Sequence, residues 1–140
     1  MSSLDYLKNQ AWKEIASTTS DVELKECLMR GHGEVDELPH DELDLLYTKR
    51  RKYKILDFGC GIGRNFRYLK GFATELHGYD LPEMIDRCNE LCSVEVDLLT
   101  SDWDRIKEER YDLVVAYHVF QHLTDPDHLR AFLEDLSKIT

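Results

Sequence analysis

The sequence predicts an α/β fold: a doubly wound, mainly parallel sheet behind an N-terminal helical cap, in a single domain of 140 residues. Three observations predict it. First, Lys54 to Leu69 reads KILDFGCGIGRNFRYL, where an apolar run ends in an acid, passes through three alternating glycines and enters a helix-like segment. A strand that feeds a glycine turn and a helix N-terminus opens a cofactor-binding βα unit. Second, strand-like and helix-like segments alternate from there to the end of the sequence, which implies parallel strands joined by right-handed crossovers. Third, Leu113-Val114-Val115-Ala116 is an unbroken apolar run, suited to the buried centre of a parallel sheet.

The elements follow in order. Leu4, Leu7, Ala11, Trp12 and Ile15 recur at helical spacing behind Ser3, a natural N-cap. Ser20 or Asp21 opens a second helix with Val22, Leu24, Cys27 and Leu28, which Gly31 stops. GHGEVDELPH is a loop, and residues 41–50 form a third helix carrying Leu43, Leu46 and Tyr47. Residues 1–52 are therefore the cap and residues 53–140 the α/β part. Tyr6, Trp12 and Tyr47 lie in these helices and could line a pocket, but aromatics at helical spacing are more often core. Behind the glycine turn, a helix runs from Asn65 to about Lys70, where Gly71 breaks it. Residues 74–79 form a second strand that ends at Asp80. Residues 81–92 form a helix with Pro82 in its first turn. Residues 94–99 read as a third, weaker strand, and residues 101–110 as a polar, turn-rich stretch. Tyr111 opens the fourth strand. Thr124-Asp125-Pro126 starts a last helix with an apolar stripe of Leu129, Phe132, Leu133, Leu136 and Ile139.

Composition narrows the partners. Hydrophobic content of 42% and charged content of 33% describe a globular chain rather than a disordered one. No apolar run reaches the roughly 20 residues that span a bilayer, and the N-terminal stretch lacks an apolar signal core, so neither a membrane nor export is expected. The net charge of −10 repels phosphate backbones and disfavours nucleic acid as a partner. The one basic run, Lys49-Arg50-Arg51-Lys52, falls at a helix end, where it complements the dipole. Cys27, Cys60, Cys88 and Cys92 form no C-x-x-C pair, and no His cluster completes a metal set. His118 and His122 are spaced as an i, i+4 pair but lack a third ligand, and His122 reads as a packing residue. Free thiols fit a cytoplasmic setting.

The chemistry sits in four segments. The glycine turn reads D-x-G-x-G-x-G from Asp57 through Gly59, Gly61 and Gly63, one residue tighter than the dinucleotide fingerprint G-x-G-x-x-G. Its glycines admit positive φ and close approach, and its backbone N–H groups face a polar cofactor. Asp80 stands about twenty residues beyond, at the end of the second strand, where an acid binds ribose hydroxyls. A ribose is common to nicotinamide and methyl-donor cofactors, and a plain helix cap before Pro82 is the other role open to Asp80. Ser101-Asp102-Trp103-Asp104 follows the third strand, and YDLVVAYHVFQHLTDP spans the fourth, Tyr111 to Pro126.

These four segments, in this order from Asp57 to about Pro126, resemble the class I S-adenosylmethionine-dependent methyltransferases, and CGIGRN resembles their small-molecule type. The resemblance implies a Rossmann-like fold and the cofactor S-adenosyl-L-methionine, with S-adenosyl-L-homocysteine as product. It implies that Gly59, Cys60, Gly61 and Gly63 cradle the amino-acid end of the cofactor. Asp57 then orients the loop or the cofactor's ammonium, and Arg64 meets its carboxylate or lies solvated at the helix start. Asp80 with Leu81 holds the ribose. Asp102 takes the adenine amino group and Trp103 supplies an N–H and an apolar face, unless the two form a plain polar turn. Carbonyls of Ala116 and Tyr117 hold the cofactor's amino group, with His118 beside the methyl; Tyr117 and His118 are the candidates to touch the substrate. No metal is implied, and the acceptor is expected to be a small molecule.

The sequence departs from the family at its end. A fifth strand and a terminal hairpin normally follow the helix that ends here at Thr140, and without them the fourth strand has an unpaired edge. Either the chain is an incomplete gene product, or it pairs with a second copy, or another element covers the edge; self-association is the expectation. Two other functions stay open: a non-catalytic cofactor-binding or partner subunit, and a nicotinamide-dependent oxidoreductase.

Overall fold

A computed structural model describes residue 44, residues 52–117, residue 119 and residues 125–140. Apart from residue 44, which is helical, the helices expected before residue 50, their aromatic residues and His122 lie outside the described residues, as does most of the basic run. The described chain runs β1 (Tyr53–Phe58), α1 (Phe66–Lys70), β2 (Ala73–Tyr79), α2 (Pro82–Leu91), β3 (Leu98–Thr100), α3 (Trp103–Lys107), β4 (Leu113–Val115) and α4 (Pro126–Ile139). The four strands form one parallel sheet in the order β3-β2-β1-β4.

Alternation along β1 divides the core. Tyr53 and Ile55 face α1 and α2 with Phe66, Leu69, Leu76, Ile85 and Cys88, whereas Leu56 and Phe58 face α3 and α4 with Ile106, Phe132 and Ile139. Helices on both faces make the sheet doubly wound, as expected. Ile55, Leu56, Phe66, Leu69 and Phe132 are wholly excluded from solvent, each contributing about 1.5–3 kcal/mol. The chain order changes direction between β1 and β4, so a crevice opens at the carboxyl ends of these two strands.

Several expectations are corrected here. The third strand is only Leu98–Thr100, not residues 94–99. Asp97 grips β2 instead: its carboxylate accepts the Leu76 N–H at 2.8 Å, and its own N–H donates to the Leu76 carbonyl at 2.9 Å. Val94 and Val96 pack against the core from a loop. The polar stretch at 101–110 contains α3, whose single buried residue, Ile106, is too little to show a period. Tyr111 and Ala116 flank β4 rather than belong to it. The Tyr111 N–H donates to the Ile139 carbonyl at the end of α4, 2.7 Å away. Among the described residues β4 pairs with β1 alone, and Leu113 and Val114 are half-buried where the unbroken apolar run suggested full burial. On α4 the stripe is narrower than expected, and Leu133 stands 48% exposed.

Away from the crevice, buried His77 joins a polar cluster. Its Nδ1 meets the Tyr111 hydroxyl at 2.8 Å and its Nε2 the Glu75 carboxylate at 3.0 Å. Lys54 is paired with Glu75 and Glu109. Burial holds the imidazole below its ordinary value although Glu75 pulls the other way, so the folded chain binds fewer protons there than the unfolded chain. This contribution is present above about pH 6.5 and fades as pH falls toward the lowered folded value. Tyr111→Phe leaves Nδ1 buried without its partner and should cost about 1–3 kcal/mol. Urea melts at pH 7.5 will read it; an unchanged midpoint would show that the pair contributes nothing.

Candidate functional site

The site is built where β1 runs out. In the glycine turn Gly59, Gly61 and Gly63 have φ of 74°, 57° and 81°, conformations that disfavour a side chain. Space forbids one as well: a Cβ on Gly59 would stand 2.5 Å from a Val119 methyl, and one on Gly63 would stand 2.6 Å from the Phe66 ring. Four of the turn's amides are already used. The N–H groups of Gly59 and Cys60 donate to the Tyr79 carbonyl at 2.8 and 3.1 Å, and that of Gly63 to the Cys60 carbonyl at 3.0 Å. The Gly61 N–H donates to the Asp80 carboxylate at 2.7 Å. These four N–H groups are turned inward, and at them the loop offers a ligand shape and close approach.

Asp57 sits in β1 between Gly78 of β2 and Val115 of β4. It is 2% exposed, and among the described residues its Oδ2 has no hydrogen-bond partner. Burial, with the nearby charge of Asp80, pushes its carboxyl up to about 8, and only Arg64 pulls it back. Asp80 ties two loops together: one carboxylate oxygen accepts the Gly61 N–H and the other its neighbour's N–H, Leu81, at 2.7 Å. It is therefore not the cap of α2, whose N-cap is Leu81 without a side-chain bond. Burial pushes Asp80 up to about 6, against the two backbone bonds that favour its anion.

Asp102 is exposed and caps α3, accepting the Asp104 N–H at 3.0 Å. Trp103 is half-buried, edge-on to Phe58 and Tyr79 at 5.7 and 5.4 Å between centroids. Ala116 and Tyr117, both half-buried, follow β4 toward the same end of the sheet. His118 lies outside the described residues. The fold therefore gathers Asp57, the three glycines, Cys60, Arg64, Asp80 and Leu81 around one turn. Asp102 and Trp103 lie beyond β3, and Ala116 and Tyr117 beyond β4. Sequence reasoning passed over Asn65. It is 6% exposed at the N-cap of α1, yet makes no side-chain cap bond, and its Oδ1 is buried without a partner. An Asn directly behind a glycine turn was the available signal.

The methyltransferase-domain family matches residues 29–138. The chain belongs to that family. The domain's fold is that of magnesium protoporphyrin IX methyltransferase from Synechocystis PCC 6803, solved with bound SAM. The two share 15% identity and a TM-score of 0.64 over 100% of this chain and 74% of that one. It is similarly that of the N-methyltransferase NodS from Bradyrhizobium japonicum WM9, solved with S-adenosyl-l-homocysteine (18% identity, TM-score 0.64, 92% and 66% of the two chains). An amino pentose methyltransferase from Micromonospora echinaspora gives 21% identity and a TM-score of 0.58 over 83% and 51%. The methyltransferase domain thus spans between 51% and 74% of the length of these three structures. No curated protein matches the sequence. Among the described residues no helix is long and apolar enough to cross a membrane, and no group of His, Cys, Asp and Glu is arranged to hold a metal ion.

Proposed function

We propose that this methyltransferase domain binds S-adenosylmethionine in the crevice at the carboxyl ends of β1 and β4 and passes its methyl group to a small-molecule acceptor. One observation carries the reading: a buried carboxyl, Asp57, with an oxygen unpartnered among the described residues, beside a turn of three left-handed glycines. A site built this way suits a cationic ligand. A pyrophosphate would need free amides and positive charge. Here the amides of Gly59, Cys60, Gly61 and Gly63 are engaged, and two acids, Asp57 and Asp80, outnumber Arg64. That argues against the nicotinamide alternative, in line with the family match. A methionyl ammonium would give Asp57 the partner it lacks.

The remaining roles follow from the donor set. Each carboxylate oxygen of Asp80 keeps a second lone pair for a ribose hydroxyl. Leu81 lies beside it, and Trp103 with Asp102 would border the base. Ala116, Tyr117 and His118 would border the amino group and the acceptor. The sulfonium supplies an already activated methyl group. The protein's own work is to align an acceptor and exclude water, without a covalent nucleophile. The small-molecule type of acceptor is supported by the neighbours' chemistry, a cytoplasmic setting by the free thiols of Cys60, Cys88 and Cys92, and self-association by β4, which among the described residues pairs with β1 alone.

Titration calorimetry with S-adenosylmethionine, S-adenosylhomocysteine and NADH tests the reading. Heat is expected from the first two only. Asp80→Ala removes both the ribose partner and the tie to Gly61, and should weaken binding about a hundredfold or more. NADH binding without the other two would refute the proposal, and tight binding without turnover on a broad acceptor panel would favour a non-catalytic subunit.

A further inference from the structure

Three thiols lie directly under the glycine turn. Cys60 is part of it and 5% exposed, Cys88 is fully buried in α2, and Cys92 is half-buried at the end of α2. All three are free. Cys88 lies one helical turn before Cys92, whose N–H donates to its carbonyl at 2.9 Å, and it packs in one core cluster with Cys60 and Cys92. The Cys92 thiol donates to the Gly63 carbonyl at 3.8 Å and packs so closely that a Cβ on Gly63 would stand 2.9 Å from its sulfur. The cluster and the backbone of the turn are one packed body. Burial pushes the Cys60 and Cys92 thiols up, while hydrogen bonds from both hold Cys88 below its ordinary value. Cys88 is therefore the readiest nucleophile of the three, and Cys92 the one an oxidant reaches.

We propose that Cys88 and Cys92 form a peroxide-sensitive dithiol whose oxidation loosens the glycine turn. The Cys92 thiolate attacks the peroxide O–O bond, takes one oxygen to become a sulfenic acid, and the other oxygen leaves as hydroxide that a proton converts to water. The Cys88 thiolate then attacks the Cys92 sulfur and displaces hydroxide, which leaves as a second water. The dithiol loses two electrons and two protons, and the peroxide is reduced to two waters. The pair is placed for this. The residues are one helical turn apart on one face, and Cys92 has already left the helix, with φ −90° and ψ 125°, so its side chain can swing toward Cys88. To close the bond, the Cys92 sulfur must leave the Gly63 carbonyl, and the Cys88 sulfur must turn toward Cys92 within the cluster it shares with Cys60. The turn then loses its support at Gly63.

The test uses the full chain carrying Cys27→Ser, so that only these three thiols remain. It is titrated with hydrogen peroxide, alkylated and mapped by peptide mass spectrometry, with amide hydrogen exchange read over residues 59–63. A Cys88–Cys92 crosslink reversed by dithiothreitol is expected, with exchange in the turn about tenfold faster and S-adenosylmethionine binding about tenfold weaker. Adding Cys92→Ser should abolish both the crosslink and the exchange change. No crosslink, or a crosslink that leaves exchange unchanged, overturns the proposal. Exchange is read without cofactor, so failure of the reduced chain to bind S-adenosylmethionine would refute the function above and leave this result standing.

Discussion

Gly63→Ala should all but abolish cofactor binding and lower the melting temperature by about 10 °C or more. At φ of 81° an L side chain costs about 1–2 kcal/mol. The new methyl would also meet the Phe66 ring at 2.6 Å and the Cys92 sulfur at 2.9 Å. Phe66 is wholly buried and cannot withdraw without moving α1, so overpacking adds about 1–3 kcal/mol. Against a total stability of roughly 5–15 kcal/mol for a single domain, that is a large fraction. Gly71→Ala is the control. Gly71 has φ −61° and ψ −25° at an exposed helix end, so alanine there should be neutral or stabilise by about 0.4–1 kcal/mol. Thermal melts of the two variants separate a conformational need for glycine from general sensitivity, and equal effects would remove the argument.

Asp57→Asn should stabilise the free protein at neutral and alkaline pH while weakening S-adenosylmethionine binding by about a hundredfold or more. The folded carboxyl is pushed up to about 8, above its unfolded value, so the native state holds a proton that the unfolded state has released. Stability must therefore fall as pH rises from about 4 through 8, and asparagine removes that slope. A bound cation restores the carboxylate, so binding by the wild type should release a proton and weaken as pH falls below about 8. Calorimetry in buffers of different ionisation enthalpy reads the proton directly. A variant that is no more stable, yet binds as the wild type does, would show that Asp57 is paired some other way.

The strand–turn–helix core was legible because its signals are local. Asp57, Gly59, Gly61 and Gly63 announce a tight turn by residue type alone, and Pro82 and Pro126 mark helix starts where their missing N–H costs nothing. What escaped depended on contacts distant in sequence. The side-chain grip of Asp97 on Leu76 shortened the third strand. A helix of one turn, Trp103–Lys107, has no room for a period. The unbroken run at Leu113 suits full burial, yet Leu113 and Val114 are only half-buried, because apolar content does not say what covers a strand. In the site, residue identities were readable, but their connections were not. Nothing in the sequence said that Asp80 would hold the Gly61 N–H, or that Asn65 would keep a buried oxygen unpaired.

A crystal structure of the chain with S-adenosylhomocysteine tests the account most directly. The amino-acid tail should lie over Gly59–Gly63 with its ammonium against the Asp57 carboxylate, and the sugar hydroxyls should meet Asp80. A nucleoside bound elsewhere, or Asp57 capped by one of the protein's own side chains in the complex, would contradict it.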